Sequence, residues 1–294
     1  MPFGHYRRRV TERLRDRIEA LVPRWLPSRS LLPALFVYLV LLANGVPAFL
    51  ILSLAPGMTR DLFVWTVEPP ASAQLLGVMY GNAILLVAIG LFQTDWGRSR
   101  IILVLISYFS VAATIVTFLH LGPFLAHPPI HLAYWLTMYL LLVVAAPAVL
   151  VIEERAQGGR LPVQRSLSAA SRVMGTLACT VLLALGMVLL FIPELANVFW
   201  PWKLTPLVAG IVGVWISGLG IIYGWAQWDG DWSRVQPAYW QGIPTGILLT
   251  LVPTLHVAEL RSDPAGALGF YAAIALLLVL SGIAAAASQR LTRQ

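Results

Sequence analysis

The stretch "LLPALFVYLVLLANGVPAFLILSL" carries no charge over the 24 residues 31–54. At about 1.5 Å per residue a helix of that length crosses the ~30 Å hydrocarbon core of a bilayer. Backbone amides and carbonyls find no water there, so such a run satisfies them internally, as a helix. The feature recurs: uncharged runs predict eight membrane helices, at about 31–54, 72–92, 101–120, 132–152, 173–193, 204–226, 240–257 and 266–288. The alternating pattern of a membrane barrel is absent. Composition excludes a pair of soluble domains of the same total length, because 59% hydrophobic and 11% charged residues leave too little polar surface.

The cations orient the helices. Arg7, Arg8, Arg9, Arg13, Arg15, Arg17, Arg24 and Arg29 precede the first helix, and further arginines follow the second, fourth, sixth and eighth. Only Arg60, Lys203 and Arg261 fall on the other side. By the positive-inside rule both termini are expected in the cytoplasm of a bacterium, with the chain in its cytoplasmic membrane. The net charge of +7 is this asymmetry and not a nucleic-acid footprint, since no basic groove with interleaved aromatics occurs. Val10, Leu14, Ile18 and Leu21 stand at helical spacing among arginines. Segment 7–22 is therefore expected to lie as an amphipathic helix on the anionic inner leaflet. It is too long to be the n-region of a cleavable signal. Cys179 is the single cysteine, which excludes an internal disulfide and a thiolate metal cluster.

Sliding the sequence on itself by 136 positions superimposes the first four helices on the last four. Phe63 then meets Phe199 and Pro70 meets Pro206; Asp95, Trp96 and Arg98 meet Asp231, Trp232 and Arg234; His120 meets His256. Apolar matches are cheap in such a chain, whereas Pro, Asp, Trp, Arg and His matches at one offset are not. The expected fold is an all-α membrane protein of eight helices in two tandem, parallel four-helix repeats. Its parts are a basic cytoplasmic segment 1–29, repeat one at 30–155, a linker 156–170, repeat two at 171–289, and a cytoplasmic tail 290–294. Four helices per unit leave both units pointing the same way, about a pseudo-twofold along the membrane normal.

The motif "FWPWKLTPL" (199–207), with "EPP" (68–70) and "TFLHL" (117–121), resembles a family of uncharacterised bacterial multi-pass membrane proteins. Those carry WPW-x-LTPL, an earlier W-x-x-x-PP and an L-H-L-D run. Here Gly122 stands where that last Asp falls. The resemblance covers about half the chain and implies membership, without chemistry.

The two histidines, each at the outer end of an equivalent helix, head the candidate site. Three ligand readings fit them: axial ligands of a haem iron, a divalent-metal site shared with His127, His131 or a carboxylate, or hydrogen bonds to an outer ligand. The structural reading is that each caps its helix C-terminus. Around them, "VWTVEPP" and "FWPWKLTP" bring Trp65, Trp202, Glu68 and Lys203, either as a lip over a site or as an interfacial tryptophan belt. Glu259 completes the expected ligand-binding set of His120, His256, Trp65, Trp202, Glu68 and Glu259. "DWGR" (95–98) and "DWSR" (231–234) are read as ion-paired turns, with a docking surface for a cytoplasmic partner as the alternative; a membrane-protein partner is a separate expectation.

Helix six carries Gly210, Gly213, Gly218, Gly220 and Gly224, the mark of close helix packing in lipid. Helix seven is interrupted by Gly242, Pro244, Gly246 and Pro253, a pointer to a binding site or a simple kink. No Asp, Glu, Lys or Arg lies in the middle of any run, which disfavours an ion-coupled pump. No phosphate-binding loop, nucleophile elbow or HExxH occurs, so no catalytic residue is expected. The reading that results is a non-catalytic binding or accessory membrane protein with an outward-facing site between the repeats. The alternatives are a facilitative small-molecule permease and a haem- or metal-binding electron carrier.

Overall fold

The computed structural model describes residues 32–93, 96–159 and 161–291. Nine helices of nine or more residues run in order among them: α1 Leu32–Leu54, α2 Pro70–Leu91, α3 Trp96–Leu119, α4 Pro129–Ala156, α5 Ala169–Phe191, α6 Pro206–Asp229, α7 Trp232–Trp240, α8 Gly242–Leu255 and α9 Ala265–Leu291. Seven of them, all except α7 and α8, are long and apolar enough to cross a membrane, the pattern of a multi-pass membrane protein. The only β pairing among the described residues is an isolated bridge between Ser166 and Asp231. The amphipathic stretch 7–22, Asp95 and the last three residues lie outside the described residues.

The predicted helices one to six and eight are present with ends shifted by a few residues. The third begins at Trp96 and not at 101, because Arg100 is buried in its first turns beside Asp229 and Glu154. The predicted seventh helix, 240–257, is present as α8, Gly242–Leu255, only 14 residues long, and the 9-residue α7 precedes it across Gln241. Pro244 has no N–H to donate to the Trp240 carbonyl. Bonds from Gln241 N to Pro237 O (3.1 Å) and from Thr245 N to Gln241 O (3.2 Å) still carry the helical pattern across the junction.

Helix α6 is the centre of the bundle: 89% of its most apolar stretch is buried, against 28% in α4. It packs most closely on α5. A Cβ on Gly186 would stand 2.5 Å from Ser217 N, and one on Gly213 would stand 2.8 Å from Gly186 O. Backbones this close are what small residues permit in lipid, where packing and not water release drives association. Helix α6 ends at Gly230, whose φ of 74° is a left-handed cap.

Candidate functional site

At the end of the bundle where α2 and α6 begin, residues from distant parts of the chain surround an open, polar cleft of about 720 Å³. One wall is the stretch from Pro56 to Pro70, with Arg60, Asp61, Thr66 and Glu68; the other is Lys203, Thr205 and Glu259. Arg60, Asp61, Glu68 and Lys203 are exposed, and none makes a side-chain hydrogen bond or ion pair among the described residues.

Glu259 behaves differently. Its Oε2 accepts from the Ala71 amide (2.7 Å), and its Oε1 lies 2.7 Å from His256 Nδ1. A carboxylate on a free amide of the first helical turn meets the positive end of the α2 dipole. His256 Nε2 in turn lies 2.6 Å from Gln74 Oε1. Trp202 Nε1 donates to Ser72 Oγ (3.0 Å). Three side chains from 202 to 259 thus clasp the first turns of α2. By contrast, α6 takes its own cap, with Thr205 Oγ1 accepting from Val208 N (3.3 Å).

The expected site residues therefore separate. Glu68 and Glu259 line the cleft, and His256 is tied to Glu259. Trp65 and Trp202 are fully buried, at 0% exposure, and do not form an exposed lip. Trp65 belongs to an aromatic cluster with Phe63, Phe124 and Trp135, at centroid distances of 4.7, 5.0 and 5.1 Å. His120 neither lines the cleft nor makes a side-chain hydrogen bond among the described residues. His256 has a carboxylate and an amide partner, and His120 has neither among the described residues.

His127 and His131 stand 6.0 Å apart between ring centroids, and His127 Nε2 meets Thr66 Oγ1 at 3.1 Å. Burial lowers the His127 pKa below the ordinary imidazole value, and the neighbouring His131 and Arg60 lower it further, with Asp61 opposing. Among the described residues no three His, Cys, Asp or Glu side chains gather closely enough to hold a metal. Both ring nitrogens of His256 are engaged, whereas an iron or metal ligand needs one free. With those two bonds in place, His256 has no ring nitrogen left for a metal or a haem iron.

No family model, curated protein or solved structure matches the chain.

The opposite end of the bundle holds the other polar cluster. Arg100 is 1% exposed and bonds Asp229 and Glu154, the latter at 3.2 Å. Arg234 meets Asp229 at 2.7 Å and Asp231 at 3.0 Å. Arg100 also lies 5.8 and 5.6 Å from the ring centres of Trp225 and Trp228. The Asp231–Arg234 turn is as expected from "DWSR". Arg98, 136 positions before Arg234, is exposed, and Arg100 is the buried cation of the first half.

A third polar group lies inside the bundle. Thr245 Oγ1 stands 2.9 Å from Asn82 Oδ1 and 2.7 Å from Gln241 O, at the α7–α8 junction. Asn82, Gln241 and Thr245 are all buried.

Proposed function

We propose that the chain is a non-catalytic membrane protein of the binding or accessory type, with its ligand site in the Glu68–Lys203 cleft between two tandem four-helix units. The observation that carries this is the cleft itself. It offers about 720 Å³ lined by unpaired charges, whereas two apolar cavities within the bundle hold about 10 Å³ each. Pockets of this size with a few convergent polar groups are the usual form of a small-molecule site.

The tandem arrangement has support in the helix boundaries. Pro70 and Pro206, Trp96 and Trp232, Leu119 and Leu255, and Pro129 and Ala265 each begin or end a helix, 136 positions apart. Neighbour relations repeat as well. Helix α1 packs on α2 and α4 as α5 packs on α6 and α9, and the units meet through α2 with α8 and α6 with α3. In this reading units 30–155 and 171–289 share a pseudo-twofold, both termini are cytoplasmic, and the cleft faces outward from a bacterial cytoplasmic membrane. Membership among the WPW-x-LTPL proteins is part of the same proposal.

Topology is the direct test. In a Cys179→Ser background, Lys203→Cys should react with an impermeant maleimide on intact cells, and Arg155→Cys only after permeabilisation. The reverse pattern would sink the outward-facing site.

A second reading, the facilitative permease, rests on the junction at Gln241, where a divided helix places Asn82 and Thr245 together at the unit interface. Counterflow of candidate solutes in liposomes separates it from the first, since a binding protein exchanges nothing across the bilayer.

A further inference from the structure

The segment 59–67 walls two clefts at once. Thr59, Arg60, Asp61, Thr66 and Val67 face the polar cleft. Leu62, Phe63 and Val64, between them, face a second cleft of about 480 Å³ toward α1 and α4. Pro47, Ile51, Ile130 and Trp135 make that second cleft largely apolar, and its polar members, Asn44, His131 and Tyr134, are few. Its rim residues Leu62 and Ile130 are exposed, at 47% and 68%. A charge-lined cleft and a largely apolar one therefore lie on opposite sides of one nine-residue strip.

The polar side is rich in charge without favouring either sign. Arg60 and Lys203 stand against Asp61 and Glu68, all four unpaired, while Glu259 is already engaged by Ala71 and His256. A singly charged ligand would satisfy one pair and be repelled by the other, so such a wall discriminates in favour of a ligand bearing both signs. We propose that this end of the bundle holds a phospholipid whose head carries both an ammonium and a phosphate, with the head in the polar cleft and a chain in the apolar one. The inference rests on reading the polar cleft as a ligand site, and it adds the class of ligand. The phosphate pairs with Arg60 or Lys203 and the ammonium with Asp61 or Glu68. The apolar cleft next to it selects a lipid over the same head free in water.

The test uses the full chain, stripped of lipid in detergent and examined by native mass spectrometry. The probes are dioleoylphosphatidylethanolamine, dioleoylphosphatidylglycerol and soluble glycerophosphoethanolamine. The expected result is retention of the ethanolamine lipid at least about tenfold above the glycerol lipid, with Lys203→Gln and Glu68→Gln each lowering it about fivefold. Leu62→Trp, an exposed change that fills the apolar cleft, should lower lipid retention further and leave the soluble head unaffected. Equal retention of both lipids, lost in Lys203→Gln, overturns the zwitterionic class and leaves the cleft a ligand site. Competition by the soluble head at equal concentration overturns the lipid source. Retention indifferent to both Lys203→Gln and Glu68→Gln overturns this inference and the cleft reading together.

Discussion

The two ends of the bundle handle charge in opposite ways. Where α2 and α6 end, Arg100, Asp229, Asp231 and Arg234 are buried and all paired. Where those helices begin, Arg60, Asp61, Glu68 and Lys203 are exposed and unpaired around a cleft. Buried charges without partners are too costly to persist, so the first end reads as a clamp joining α3, α4, α6 and α7. Exposed unpaired charges cost the fold little and remain free to meet something else. The difference teaches that charge alone does not mark a site here; charge without a partner, beside empty volume, does.

The sharpest way to break the comparison is to remove one cation from each end. Arg100→Ala leaves Asp229 with the Arg234 cation and Glu154 with Trp96 Nε1, and should destabilise the protein by about 2–3 kcal/mol in thermal unfolding in detergent. Lys203→Ala removes the same charge from the cleft and should leave the melting temperature unchanged. Similar losses at both ends would abolish the distinction.

Glu259 sits between the two behaviours, lining the cleft yet bonded to Ala71 N and His256. Glu259→Gln should cost about 1–2 kcal/mol, the scale of a charged hydrogen bond at a helix N-terminus. His120→Ala should cost nothing measurable, because His120 makes no side-chain bond among the described residues.

Acid sharpens the paired end alone. Burial raises the Asp231 pKa, but hydrogen bonds from Ser233 and the Gln164 amide and the Arg234 charge outweigh it and hold the carboxyl below the ordinary value. With its folded value depressed, ionised Asp231 stabilises the fold above about pH 4, and that contribution is lost as pH falls through the folded value. Melting temperature should therefore drop on acidification below about pH 4, and Asp231→Asn should flatten that part of the profile. The smallest effect belongs to Glu68→Gln, which should leave stability untouched and be visible only in ligand retention.

Much of this was legible along the chain. The first helix, expected at 31–54, runs Leu32–Leu54, because hydrocarbon length and missing charge are local properties. The "DWSR" turn closes as its spacing predicts. Glycines 213 and 220 do face a close neighbour, α5. The start of α3 was misplaced because Arg98 and Arg100 look alike in sequence, yet one is exposed and the other buried. The seventh helix was legible near its true bounds, but the short helix Trp232–Trp240 before it was not, because its mixed polar sequence carries no apolar run. His120 and His256 each follow the last residue of a helix, as expected, but their different surroundings were not legible.

The sequence by itself determined that this chain is a helical membrane protein, and roughly where each helix lies, since helix formation in hydrocarbon depends on a run of some twenty residues and little else. Only the tertiary structure decided which polar groups find partners. Arg100 meets Asp229 across 129 positions, and His256 meets Gln74 across 182. Those pairings depend on which helix faces are turned toward one another, and that is set by backbone approach at residues such as Gly186 and Gly213, far from the charges they bring together or leave alone.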